Sequence, residues 1–246
     1  MINIVIPMAG RGSRFTKAGY LLPKPLLTVH GRPMIEVVIE NLRPSVPHRF
    51  VFICQKEHLD QFDLAATLRA AGPNTEIIPI DHVTEGAACT VLLAERFIDN
   101  DDALMIANCD QYVSVSIDAY LAKMVEGAFD GFIMTMTAND AKWSFVRLNG
   151  SDEVVEVVEK KVVSSEATVG IYNYLHGRDF VQAAKEMMAR DDRTNNEFYV
   201  APAYNYMVNK EQRIGYLNIG SDRAGMYGLG VPEDLEYFNS LVDLPE

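Results

Sequence analysis

Residues Ile2–Pro7 form an apolar run interrupted only by Asn3, and Ala103–Ala107 form a second, unbroken one. A strand with one face in water alternates polar and apolar residues, so runs without that alternation belong to strands covered on both faces. The segments around them fit this constraint. Met34–Leu42 reads as a helix, Arg49–Cys54 as a strand, Leu59–Ala70 as a helix, Glu76–Ile80 as a short strand, and Ala87–Phe97 as an apolar and therefore buried helix. Such β-α-β-α order predicts an α/β fold with a mostly parallel, Rossmann-like central sheet flanked by helices, right-handed crossovers and ligands at the carboxyl ends of the strands.

The pattern changes after Gly131. Phe132–Thr137, Phe145–Leu148, Val154–Val158 and Thr168–Tyr174 are closely spaced and strand-like, with Asn149-Gly150 as a hairpin turn signal, which predicts an antiparallel insertion in the C-terminal half. Phe180–Met188 and Tyr199–Val208 read as helices, Ile214–Ile219 as a strand, and Pro232 opens a last helix. Neither a repeat nor a linker-like composition marks a boundary, so 1–246 is expected to be a single domain.

Charge narrows the partners. Lys and Arg total 22 against 34 Asp and Glu, a net −12, and the longest basic run is Lys160-Lys161. Nucleic acid and anionic membranes are therefore not expected as partners, whereas a polyphosphate needs only a local cationic site. Cys54, Cys89 and Cys109 form no C-x-x-C pair and read as buried thiols of a reducing compartment rather than zinc ligands. The first apolar run is too short for a signal sequence, and no stretch approaches the roughly 20 residues of a membrane span, so a cytoplasmic location is expected.

The first strand leads into Met8-Ala9-Gly10-Arg11-Gly12-Ser13-Arg14-Phe15. Small residues there let backbone N–H groups close around an anion such as phosphate. Two familiar versions of such a loop fail. The dinucleotide fingerprint needs glycine where Phe15 stands and an acid where Gln55 ends the second strand, and the P-loop needs Gly-Lys-Ser/Thr. Arg14 follows the second glycine by two residues, and Pro23-Lys24-Pro25 holds a lysine in a rigid turn. A guanidinium and an ammonium beside an anion cradle suit a triphosphate. The plain alternatives are a tight turn, a solvated arginine and a lysine in a stiff loop. Asp110, just past the strand that ends at Ala107, should emerge at the carboxyl edge beside this loop, where a magnesium ion could use it; it could equally serve as a helix cap.

The run PMAGRGSRFTKAGYLLPKPLLTVHGRPMI resembles the signature of the sugar-phosphate nucleotidyltransferases, or nucleotide-sugar pyrophosphorylases, of glycosyltransferase-A-like fold: a strand, G-x-G-x-R, a spacer and P-K-P-L. Weaker likenesses follow in family order at Thr84–Ala87, Asn108–Asp110, Glu159-Lys160, Thr168–Tyr172 and Gly230–Asp234. The resemblance implies transfer of a nucleoside monophosphate from a nucleoside triphosphate to a sugar 1-phosphate, with Mg2+ as cofactor and pyrophosphate released. It places nucleotide binding in 1–130 and acceptor binding in 131–246. Arg14, Lys24 and Asp110 are then catalytic, with Asp110 on the metal. Met8, Ala9, Gly10, Gly12, Ser13, Asp81, Gly86, Ala87 and Asn108 would bind the nucleotide. Glu159, Lys160, Gly170, Asn196 and Glu197 would bind the acceptor, Gly170 by letting backbone approach a sugar ring; Asn195 or Asn196 could instead cap the next helix.

The chain also departs from that pattern. Gly228 stands where many relatives have a second metal carboxylate, so one carboxylate suffices, Asp222 or Glu197 substitutes, or activity is lost. Asp81 stands where some uridylyl-transferring relatives have Gln, and an ionised Asp, which only accepts hydrogen bonds, favours guanine or cytosine. Left open beside the sugar-phosphate reading are a cytidylyltransferase for choline or alditol phosphates, a catalytically silent nucleotide-binding protein, and a homo-oligomer; Phe15 and Gln55 argue against a dinucleotide oxidoreductase. His30, His48, His58, His82 and His176 fall in no triad or metal spacing and read as surface or packing residues.

Overall fold

A computed structural model describes residues 1–72 and 74–245. Four parallel strands come first: β1 (Ile2–Met8), β2 (His48–Gln55), β3 (Glu76–Ile80) and β4 (Ala103–Ala107). Besides a separate two-stranded ribbon of Thr28–Val29 and Arg32–Pro33, the other strands among the described residues are β5 (Gln111–Val113), β6 (Gly131–Thr137), β7 (Ser144–Leu148), β8 (Val154–Glu159), β9 (Glu166–Tyr174), β10 (Ile214–Asp222) and β11 (Gly225–Gly228), which with the first four make eleven. All eleven share one sheet in the order β3-β2-β1-β4-β9-β6-β10-β11-β5, from which β7 branches off β9 and carries β8.

The apolar runs are buried on both faces as expected. Ile4, Ile6, Phe50 and Phe52 point into one layer with helices Met34–Asn41, Ile117–Glu126 and Pro232–Asn239. Val5, Val51 and Ile53 point into the other with helices Ala87–Leu92, Gly177–Ala189 and Ala203–Val208. Each fully buried side chain of this size contributes about 1.5–3 kcal/mol, so two filled layers hold the strand ends in fixed relation. The carboxyl ends of β1 to β4 share one edge, and β9, antiparallel to β4, begins there.

The antiparallel strands expected in the C-terminal half are present and continuous with the main sheet: β6 and β9 lie within it, β10 runs parallel to β6, and only the β7–β8 hairpin leaves it. Several element boundaries need correction. In that hairpin the left-handed residue is Asp152 (φ 62°), not Gly150, because the Asn149 side chain accepts from the N–H groups of Ser151 and Glu153 and widens the turn. The run Leu59–Ala70 is two helices, Lys56–Gln61 and Leu64–Arg69, separated by extended Phe62; Leu64 and Leu68 are buried, whereas nothing in the first segment is. Ala87–Phe97 likewise splits into Ala87–Leu92 and Glu95–Ile98. The helix expected from Tyr199 starts only at Ala203, since Pro202 lacks a donor and fits only at a helix start. Strands β5 and β11 and the helix Ile117–Glu126, capped by the Ser116 hydroxyl, complete the sheet's far side.

Asn205 ties the branch hairpin to the helical layer. Its carboxamide accepts from the Val157 N–H (2.7 Å) and donates to the Val157 carbonyl (2.9 Å), replacing a neighbouring strand. Asn205→Ala should lower unfolding free energy by about 2 kcal/mol, since two half-buried backbone groups lose their partner; urea titration checks this, and an unchanged midpoint contradicts it.

Candidate active site

The loop after β1 is shaped by Gly12, whose left-handed backbone (φ 60°, ψ 28°) turns the chain into the short helix Ser13–Lys17. Phe15 is buried and meets Tyr20 edge-on at 5.3 Å, so the position that a dinucleotide loop gives to glycine is an aromatic anchor here. Among the described residues, the backbone N–H groups of Gly10 through Arg14 find no acceptor. A side chain at Gly10 would meet nothing within 4 Å, so the mouth of the loop is open. Met8 and Ala9 are buried at its base, and Ser13 and Arg14 are exposed at its rim.

Lys24 reaches across this loop. Pro23 is extended and Lys24 opens the 3-10 turn Lys24–Leu26, which brings the lysine's Cβ within 3.6 Å of where a side chain on Gly12 would begin. Its Nζ lies 2.8 Å from Asp110 Oδ2, with the two side chains only 22% and 24% exposed. Burial alone would lower the Lys24 pKa; the facing Asp110 carboxylate and Cys109 outweigh it and hold the ammonium above its ordinary value. The Cys109 thiol itself is pushed up by burial. Asp110 is fixed from the other side, where the Leu229 N–H donates to its carbonyl at 2.8 Å. Arg14 forms no ion pair among the described residues.

Among the described residues no three His, Cys, Asp or Glu side chains cluster as a metal cage. The donor set instead fits a cation held by a carboxylate together with phosphate oxygens, which is how magnesium commonly binds. Asp110 Oδ2 lies 2.6 Å from where a Cβ on Gly230 would stand, so only glycine leaves room beside this carboxylate.

A cavity of about 280 Å³ opens between β9, the end of β8 and the loop before helix Ala203–Val208, and Asn108, Ala87 and Gly170 also line it. Glu159 is 4% exposed; it accepts from the Ser144 hydroxyl and has Lys160 Nζ 3.5 Å away. Lys160 takes a left-handed backbone (φ 57°), donates to the Lys142 carbonyl at 2.8 Å, and places its ammonium 5.4 Å from the centre of the Tyr199 ring. Lys142 stands similarly over Trp143 at 5.0 Å. Burial, and then neighbouring Glu197, push the Tyr199 hydroxyl up to about 12.

Other expected residues are placed differently. Gly170 is needed because, at φ 85°, a Cβ there would lie 2.1 Å from the Asn108 amide nitrogen; that direction is filled by protein, not left for a sugar ring. Asn195 and Asn196 (φ 50° and 63°) are the two central residues of a tight hairpin turn closed by Thr194 and Glu197, and cap no helix. Asn196 sits exposed at its tip, and Glu197 is exposed beside Tyr199. The hairpin instead brings Phe198 backbone onto Gly86: its N–H donates to the Glu85 carbonyl (2.9 Å), and its carbonyl accepts from Ala88 (3.0 Å). Gly86 (φ 140°) has no room for a side chain there. Asp81 is exposed and turned toward exposed His82, so it does not join the cluster.

The sequence profile of the nucleotidyl transferases matches residues 4–221. The chain belongs to the nucleotidyl transferase family. A solved nucleoside-diphosphate-sugar pyrophosphorylase from Vibrio cholerae superposes with a TM-score of 0.80 at 28% identity, covering 97% of this chain and all of that one. A UDP-glucose pyrophosphorylase complexed with UDP-glucose shares the fold (TM-score 0.78, 17% identity, 97% of each chain). The bifunctional protein GlmU of Methanococcus maripaludis is 26% identical over 177 residues, 70% of this chain, and the chain spans 39% of that relative's length.

Two residues of this nucleotidyl transferase escape motif reading. Gln55 donates to the Ala9 carbonyl at 2.6 Å and lies 3.4 Å from the His82 carbonyl, joining the glycine loop to the segment after β3. Gln111, buried, accepts from Asn108 at 3.4 Å. Gln55 stands out in the sequence only as the residue where a dinucleotide loop needs an acid, and the three-residue strand β5 is too short to single out Gln111. Gly170→Ala should cost about 1–3 kcal/mol of stability through a strained backbone and a displaced Asn108, measured by thermal unfolding; a variant as stable as the parent contradicts the close approach.

Proposed function

We propose that the protein transfers a nucleoside monophosphate from a nucleoside triphosphate to a sugar 1-phosphate and releases pyrophosphate. The observation that carries this reading is the Lys24–Asp110 pair, 2.8 Å apart, beside an open glycine loop, in a chain that also has a separate cavity lined by Glu159 and Lys160. In the reaction an acceptor phosphate oxygen attacks the α-phosphorus, the bond from that phosphorus to the α,β-bridging oxygen breaks, and the electron pair leaves with pyrophosphate. Both partners are anions, so the chain's task is to neutralise and align them. Loop amides of residues 10–14 and Arg14 would hold the departing phosphates, Lys24 would neutralise charge at the α-phosphate, and Lys160 would seat the acceptor phosphate. Mg2+, when bound at Asp110, supplies further neutralisation of phosphate charge.

No general base is needed, because the acceptor phosphate is already ionised near neutral pH. The histidines agree. His30, His48 and His176 bond to the carbonyls of Phe238, Val46 and Asp101, and His82 to Asp81. Burial lowers the pKa of His58.

The cavity also bears on the acceptor. A quaternary ammonium such as choline would call for free aromatic faces, but Tyr199 and Trp143 already face the ammonium groups of Lys160 and Lys142. Positive charge there favours a sugar or polyol phosphate over choline phosphate.

The test is pyrophosphate release with Mg2+, crossing CTP, UTP, dTTP, GTP and ATP with hexose-1-, heptose-1-, alditol- and choline-phosphates. Turnover is expected with a sugar phosphate and not with choline phosphate; nucleotide binding without release under every combination would instead identify a silent binder. In the productive pair, Asp110→Asn should nearly abolish turnover, and Arg14→Ala or Lys24→Ala should each reduce kcat by about 10²-fold or more. Full activity in any of them removes that residue from the mechanism.

A further inference from the structure

The segment Gly228-Leu229-Gly230 runs past two carboxylates without presenting a side chain to either. Asp110 Oδ2 lies 2.6 Å from where the Cβ of Gly230 would stand, and Asp234 Oδ2 lies 3.4 Å from the corresponding point on Gly228. Three residues span at most about 7 Å between their outer Cα atoms, so both acids border one short stretch of bare backbone. Asp234 comes from the first turn of helix Pro232–Asn239, whose start at Pro232 turns it back toward the end of β11. Each acid is bound to a cation by one oxygen only: Asp110 Oδ2 to Lys24 Nζ (2.8 Å) and Asp234 Oδ1 to Arg223 Nη2 (3.0 Å). Asp110 Oδ1 and Asp234 Oδ2 have no partner among the described residues.

Gly228 is not required by its backbone, which lies outside the left-handed region, and a Cβ at 3.4 Å is in ordinary contact. Independently, Gln111 lies opposite Gly228 in the β5–β11 ladder, is 5% exposed, and has a buried Nε2 without a partner. A buried amide donor is costly unless an oxygen meets it. Opposite Gly228, the described residues supply no oxygen to this donor.

We propose that Asp234 is the second carboxylate of a divalent-cation site centred on Asp110, acting in the place where residue 228 offers no side chain. The inference rests on the reading of Asp110 as a metal carboxylate. Hard oxygen donors from one or two acids, completed by phosphate or water, suit Mg2+ or Mn2+. Neither Asp222 nor Glu197 takes this part: both are exposed, and the acid that Gly228 faces is Asp234.

The test is Mn2+ binding to the full-length protein, read from loss of the free-ion electron paramagnetic resonance signal, which needs no turnover. Asp234→Asn should weaken Mn2+ binding at least tenfold, as should Asp110→Asn. Because the Arg223–Asp234 pair is partly exposed, the variant should stay folded by thermal unfolding. Adding Gly228→Asp to Asp234→Asn returns a carboxylate to the same place and should restore binding to within about threefold. Loss in Asp110→Asn with parental affinity in Asp234→Asn overturns the role of Asp234 alone. Parental affinity in both overturns the metal reading of Asp110 as well.

Discussion

The Lys24–Asp110 contact brings together two stretches 86 residues apart in sequence, and the site is arranged around it. One partner hangs from a proline-stiffened turn after the glycine loop, the other from the end of β4. A lysine and an aspartate this far from water attract strongly, but they also lose hydration, so the pair is weak evidence for stability. Its significance is positional: an ammonium and a carboxylate are held in register with the open N–H groups of the loop before any ligand arrives.

That register depends on the sheet. β1 and β4 are hydrogen-bonded neighbours, parallel, and buried on both faces. Close packing leaves little freedom for one strand to slide against the other, because a shift would break the side-chain interlocking in both layers. The glycine loop and Asp110 therefore emerge together. β9 enters from the opposite direction on the other side of β4, so its first residues, with Gly170, meet Asn108 at the same edge. The β7–β8 hairpin brings Glu159 and Lys160 to the cavity, and the Thr194–Glu197 turn clamps Phe198 onto Gly86. Separate excursions of the chain thereby close on one cleft.

Much of the fold was legible because burial leaves a simple trace. β3 and β4 match the expected ranges residue for residue, and β1 and β2 differ only at their ends, since continuous apolar runs admit few other interpretations. Helix breaks were less visible. Nothing in the composition of Leu59–Ala70 announces that Phe62 is extended, and the break follows from which residues reach the core. The short strands β5 and β11 left no periodicity, as their pairing comes from the sheet rather than from local preference.

For the site, the sequence by itself determined the chemical inventory near the first strand: a glycine loop without a competing fingerprint, a lysine stiffened by two prolines, and an aspartate ending an apolar run. Those features are local, and local sterics and hydrophobicity are written residue by residue. Only the tertiary structure decided which acid faces Gly228, that Gly170 makes room for Asn108, that Asn195 and Asn196 shape a turn, that Gln55 bonds the glycine loop and that Gln111 bonds Asn108. Each of these is a contact between residues distant in the chain or a backbone angle imposed by such a contact, and spacing along the sequence carries no record of it.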